Sequence, residues 1–538
     1  MAPLSSRLWF AVLVATYLAA IVCISILARR GSRDSGQYLN ATRSLPLWCS
    51  TLAFIAANCG ALDVIGMMSL GAQYGALAFH FYWIGAVPAL IVVALWLLPA
   101  YRTSRAATVF EFLGRHYGRP TRTLVALSMS FVMALLTGIG LYAVAQVLSL
   151  YLAWNFTTSL LVTAAVILAC ALSGGVKATI YSEILHFSIV LAAVSPLVFV
   201  VVHAAGGPAS LIHAIPASRI HAWQNLHLFA PKEPMDVLCL VGGLGIVLSL
   251  GYWGTDFILM QRALSVQGET KAQTIPLAGA LAKIVFSLLI VLPGIAAPLV
   301  LGRPMTRLDQ TLPALILHLY PGVLADLGIL GVLAALMVNL SAHLSAVSAM
   351  WTYDFYQASL RPGLADAHYL KAGRLANAAA IGLAILGAYT ALRYKSLMEY
   401  IQLLLATINA PLLGILAPAV LTGRAIPVGG FWGFTLGLAC AILQQVLYRL
   451  SILHYGSQMA ANFYGAIVSF TVALCTSSIF SFWGGCYSQD RTERYSQDQG
   501  AGTVSTLQPL GAPTWSTPVI VLTLIAIALF ALCNAVFW

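Results

Sequence analysis

The chain is 538 residues long, 60% hydrophobic and only 8% charged, a balance far from that of water-soluble domains. Its formal net charge of +11 invites a nucleic-acid reading, but the basic residues alternate between successive loops instead of clustering on one face, which excludes that class. A hydrocarbon core about 30 Å thick takes about 20 apolar residues per helix. About fourteen such stretches separated by short polar loops predict an all-α integral membrane protein with a lipid bilayer as its main solvent.

The first stretch, 8–28, is too long for a signal peptide and is followed at once by Arg29 and Arg30, the flank of a retained anchor facing the cytoplasm. The next spans run over 47–75, 78–100, 123–153, 157–175, 178–206 and 234–258. Seven more follow at 274–302, 322–352, 373–392, 397–421, 428–452, 459–483 and 517–537. With the N-terminus outside, 18 of the 27 basic residues fall in cytoplasmic loops, 8 fall outside, and one, Lys283, lies within a span. That asymmetry predicts a multi-pass protein of a cell membrane, the bacterial inner membrane, with both termini outside. The sizeable polar segments are 207–233 on the outer side and 484–516 on the inner side. The latter, rich in Ser, Gln, Gly and Tyr, reads as a linker. The nine cysteines form no CxxC pair and act as small hydrophobes within the spans.

Two spans depart from clean apolar helices, each with glycine and an acid: "AANCGALDVIGMM" in the second and "SLGYWGTDFILMQR" in the seventh. Paired interruptions in corresponding helices of two halves point to a transport site, because unwound backbone at mid-membrane frees carbonyls and amides for ions and solute. The organisation expected is a leading helix with its loop (1–46), an inverted repeat of five helices (47–206), a second (234–421), and peripheral helices with the inner loop (428–538).

A charged side chain at a helix centre costs about 2.5–3.5 kcal/mol on insertion scales, so the intramembrane charges Asp63, Glu183, Asp256 and Lys283 are the candidates for function. Three acids and one base cannot all neutralise one another. An acid left over in a polar cavity would attract a cation or titrate. His80, His186 and His343 share no spacing that suggests a metal site, and a lone intramembrane histidine is more often a packing residue. The aromatic run "HFYWIG" opening the third span reads as an interfacial belt, with Tyr82 alone assigned to a solute cavity. With no GxSxG, HExxH or P-loop in the chain, an enzymatic reading lacks its mechanical parts, and no cofactor is expected.

Seven segments in order carry a resemblance: "SGQYLNATRSLPLW", "AANCGALDVIGM", "SGGVKATIYSEILHF", "YWGTDFILMQRAL", "AKIVFSLLIVLPGIAA", "SAMWTYDFYQ" and "YIQLLLATINAP". Over residues 8 to about 450 the chain resembles the sodium:solute symporter family, whose fold is the inverted repeat first seen in bacterial leucine transporters. The resemblance implies a sodium ion held between the first broken helix and the eighth core helix by backbone carbonyls at Ala56, Cys59 and Ala335. The family's hydroxyl pair reads here as Val338 and Asn339. Valine offers no oxygen, while Asn339 offers one amide oxygen. Glu183 falls where relatives carry an aspartate that supports ion binding. Lys283 and Gln402 fall on sugar-site positions, Tyr82 and Asp256 replace an acid and an amide there, and Asp63 stands where an amide is usual.

The resemblance implies sodium-coupled symport of a small polar organic solute, a sugar or related metabolite. Ala56, Cys59, Ala335 and Asn339 would meet the ion, and Asp63, Tyr82, Asp256, Lys283 and Gln402 the solute. Proton coupling through Asp63 or Glu183 stays open, as do a cationic or zwitterionic solute and, from another class, a transporter-like membrane sensor.

Overall fold

The computed structural model describes residues 46–104, 106, 108–171, 176–224, 226–302, 307–422, 426–484 and 515–538, together with Val12 and Thr16. Apart from those two residues the leading span at 8–28, and nearly all of the inner loop 484–516, lie outside the described residues. No strand occurs among those described. Eleven helices are long and apolar enough to cross a membrane, and Leu47–Asn58 and Phe156–Leu168 are shorter apolar helices.

The second predicted span is two helices, α1 (Leu47–Asn58) and α2 (Ala61–Tyr74). Between them Cys59 leaves helical geometry at φ −108°, ψ 43°, and Gly60 is extended at φ −73°, ψ 173°. Asp63 sits in the first turn of α2, where the positive end of the helix dipole favours an anion. α3 (His80–Val92) continues through a π-helical turn, Val93–Leu97, to Thr103. An amphipathic helix, α4 (Val109–Tyr117), leads into the long α5 (Arg119–Leu152), followed by α6 (Phe156–Ala171) and α7 (Val176–Ala204).

The seventh span also breaks. A π-helical stretch, Leu238–Leu248, runs into α8 (Ser249–Thr255), Asp256 turns extended at φ −61°, ψ 119°, and α9 (Phe257–Leu264) resumes. The Asp256 carboxylate accepts the Leu259 N–H at 2.8 Å, an N-cap that restarts the helix. After it come α10 (Glu269–Val300), the short α11 (Thr311–Leu319), α12 (Val323–Ala349) with a π-helical end to Leu360, α13 (Asp366–Ala391) and α14 (Leu397–Thr422). α15 (Pro427–Arg449), α16 (Gln458–Gly484) and α17 (Thr517–Val536) complete the chain.

Close helix contact is bought with glycine. A Cβ at Gly71 of α2 would lie 2.7 Å from the Val291 carbonyl of α10, and a Cβ at Gly294 of α10 would strike the Met68 carbonyl of α2. Backbone thus meets backbone across this pair, as small residues permit inside a membrane. α17 is the most apolar of the eleven spans and the least buried, with Leu524 and Leu532 pointing outward. Such a face suits lipid, where apolar surface needs no protein cover.

Candidate functional site

The two breaks flank one cavity of about 170 Å³. At its centre Lys283, on α10 and 3% exposed, donates to the Asp63 carboxylate at 2.8 Å and to the Asn58 carbonyl at 2.9 Å. That carbonyl is free because α1 stops there. The Tyr82 hydroxyl donates to the same Asp63 oxygen at 2.8 Å. The ammonium also lies 4.5 Å from the Tyr82 ring centre and 5.6 Å from that of Trp253, within cation–π range. Trp253 is held in place by its indole N–H, which donates to the Gly85 carbonyl at 2.8 Å.

Gln402 of α14 also lines the cavity, its carboxamide engaged among the described residues by a weak 3.9 Å contact to the Met398 sulfur. Four of the five residues expected to meet a solute, Asp63, Tyr82, Lys283 and Gln402, therefore converge on one cavity. Asp256 does not join them. It is absent from the cavity lining, and its carboxylate caps α9.

Glu183 lines the cavity too, but it is paired: Arg262 on α9 grips it at 2.5 and 3.2 Å, with both side chains 3% exposed. The surplus of intramembrane acids expected from the sequence is thereby reduced, since Arg262 supplies a second buried base. Of the four expected ion-binding residues, Ala56, Cys59 and Ala335 are buried, and Asn339 of α12 lines the cavity. The Asn339 carboxamide packs directly on Gly60, so closely that any side chain there would collide with it. The Val338 side chain lies outside the described ones.

The sequence reading missed Asn58, whose amide is buried with neither polar atom partnered among the described residues. Its place inside "AANCGALD" was the available signal. It also missed Arg262, six residues beyond the second break, and Phe81, Trp253 and His343, which line the cavity. No group of three or more His, Cys, Asp or Glu residues fit to hold a metal occurs among the described residues.

Residues 38–437 match the model of the sodium:solute symporter family. The zebrafish (Danio rerio) sodium/glucose cotransporter 4 is 24% identical over 463 residues, covering 80% of this chain and 70% of that protein. The Vibrio parahaemolyticus sodium/glucose cotransporter is 25% identical over 445 residues, covering 78% and 80%. Among solved structures, a substrate-bound, outward-open Na⁺-coupled sialic acid symporter superposes with a TM-score of 0.73 at 14% identity, over 88% of this chain and 97% of that one. Mhp1, a nucleobase-cation-symport-1 family transporter in a closed conformation, gives 0.54 at 14% identity, over 85% and 97%. These neighbours share the inverted-repeat helical fold, and the relatives are transporters, which sets aside the membrane-enzyme reading. Two broken helices around one cavity that holds an ion pair, a family model spanning most of the chain and relatives matched along most of their length agree: this multi-pass membrane protein belongs to the sodium:solute symporter family.

Proposed function

We propose that the chain is a sodium-driven symporter that carries a small polar organic solute, a sugar or related metabolite, inward by alternating access. The observation that carries this reading is the convergence of Asp63, Tyr82, Lys283 and Gln402 on the cavity between the two breaks. Asp63 and Lys283 cancel each other's charge and still leave a carboxylate oxygen and an ammonium N–H for hydroxyls, with the Asn58 and Gln402 amides beside them. A hydroxyl-rich neutral solute suits such a wall. The names of the relatives, sodium/glucose cotransporters, favour the same solute class.

Sodium would sit between the end of α1 and α12, with carbonyls from Ala56, Cys59 and Ala335 and the Asn339 amide oxygen as ligands. Binding there would hold α1 and α12 together and favour one state of the bundle over the other. Glu183 would act through its grip on Arg262, fixing α9 against α7 beside this site. Asp256 would set the start of α9 and reach the solute only indirectly. The two acids named for proton coupling are both ion-paired, Asp63 with Lys283 and Glu183 with Arg262. In this reading both termini lie outside, in a bacterial inner membrane, and sodium is the coupling ion with no further cofactor.

A thermal-stability screen of the purified protein against sugars, polyols, amino acids and carboxylates, each in sodium or in potassium, tests the reading. A neutral polyhydroxylated compound should raise the unfolding temperature in sodium only. Stabilisation that is equal in the two salts would overturn sodium coupling, and stabilisation by charged compounds alone would overturn the solute class.

A further inference from the structure

We propose that the Lys283 ammonium is a built-in cation, filling a monovalent-cation site at the first helix break that accepts sodium once the lysine is removed. The inference builds on the sodium-symport reading above and is tested apart from it.

The ammonium meets the kinds of oxygen that a hard cation takes, a carboxylate at 2.8 Å and a carbonyl released by unwound backbone at 2.9 Å. Two aromatic faces, Tyr82 and Trp253, cover it from other sides. More oxygen stands by at the same place. The Asn58 side chain, 5% exposed, has its Oδ1 buried with no partner among the described residues. Of the two Asp63 oxygens, Lys283 and Tyr82 both engage Oδ2, and among the described residues Oδ1 is left to complete a ligand set.

The geometry also gives the acid in the first turn of α2 a counter-charge from the protein itself. Lys283 reaches across from α10, in the second half of the chain, and neutralises Asp63 at the mouth of the break. A tethered charge cannot be released to the other side. In this proposal Asp63 needs no mobile ion, and the transported sodium is the one proposed at the Asn339 side of the same break. Without Lys283, the half-buried Asp63 carboxylate and the Asn58 carbonyl and amide oxygens would be left with no positive charge between them, and a free cation would take the place.

The test counts sodium ions bound per protein at equilibrium, using radiolabelled sodium on the purified full chain, with thermal stabilisation by sodium over potassium as a second readout. Lys283→Ala and Lys283→Gln should each bind one ion more than wild type and gain a sodium-specific rise in unfolding temperature. Lys283→Gln keeps a donor for Asp63 or Asn58 and guards against a simple folding failure. The extra ion should vanish in Asp63→Asn/Lys283→Gln. Equal ion counts in wild type and both single variants overturn the proposal, as does an extra ion that survives Asp63→Asn. If wild type binds no sodium and the single variants bind one, the symport reading fails while the built-in cation stands. If wild type binds one and the variants also bind one, the outcome is the reverse.

Discussion

Glu183→Gln offers a quantitative test of how the two halves of the molecule are joined. Arg262 holds both Glu183 oxygens, at 2.5 and 3.2 Å, and neither side chain is more than 3% exposed. Unit charges about 4 Å apart attract by about 4 kcal/mol at an effective dielectric of about 20. That agrees with the cost of about 3–5 kcal/mol found when one partner of a buried pair is removed. Glutamine keeps the shape and one acceptor, so the loss reports charge and not packing. Arg262→Met should cost less, because a stranded carboxyl can shed its charge by taking up a proton whereas a stranded guanidinium cannot. The double variant Glu183→Gln/Arg262→Met should recover part of the loss. Equilibrium unfolding in mixed micelles, followed by tryptophan fluorescence as denaturing detergent is added, supplies all four corners of the cycle. A Glu183→Gln protein within about 0.5 kcal/mol of wild type, the range of an ordinary surface substitution, would refute the reasoning.

Three further outcomes are expected. Burial pushes the Asp309 carboxyl up to about 6 even though it accepts hydrogen bonds from Leu397 N–H and the Tyr142 hydroxyl, with Arg307 also lowering it and Glu399 raising it. The folded state therefore holds a proton that the unfolded chain gives up near the ordinary value of 3.8, so this group favours folding below that value and the advantage is lost as pH rises through about 6. Unfolding temperatures recorded from pH 4 to 7 should show that slope in wild type and a flatter one in Asp309→Asn; identical slopes would count against it. Gly60→Ala should displace the Asn339 carboxamide and weaken sodium-dependent stabilisation at least tenfold, with little change in the helical circular dichroism; unchanged sodium affinity would remove Asn339 from the ion site. Tyr101→Phe should cost about 1–3 kcal/mol, the penalty for a buried acceptor left without its donor, because the Tyr101 hydroxyl satisfies the Gly254 carbonyl at the second break from 2.8 Å. Micelle unfolding measures this too, and a neutral substitution would mean that another group satisfies the carbonyl.

Much of the architecture was legible because lipid makes local sequence decisive. Twenty apolar residues can do little but cross, and Cys59–Gly60 and Thr255–Asp256 interrupt two such runs with residues that release backbone. What the acid at the second break does was also written locally, though it was read differently. An aspartate three residues before Leu259 is a helix cap, and the structure uses Asp256 in that way. The partners of the buried charges were not legible. Asp63 and Lys283 are 220 residues apart, and Glu183 and Arg262 are 79 apart. Their meeting depends on how α2 packs on α10 and on the reach of the Arg262 side chain from α9 to Glu183 of α7, which no hydropathy window reports. Arg262 lies four residues beyond the expected end of its span at 258, on a helix that resumes after the break. Asn58 carries no local signal beyond its place beside a break whose backbone carbonyls any residue could supply.

The central claim, ion-coupled symport, is tested most directly by uptake into proteoliposomes of the solute identified in the stability screen, with the sodium gradient set at constant pH. The account predicts accumulation above the outside concentration with an inward sodium gradient, and collapse to simple equilibration when the gradient is dissipated. Accumulation that ignores sodium, or that follows an imposed pH gradient instead, would contradict it.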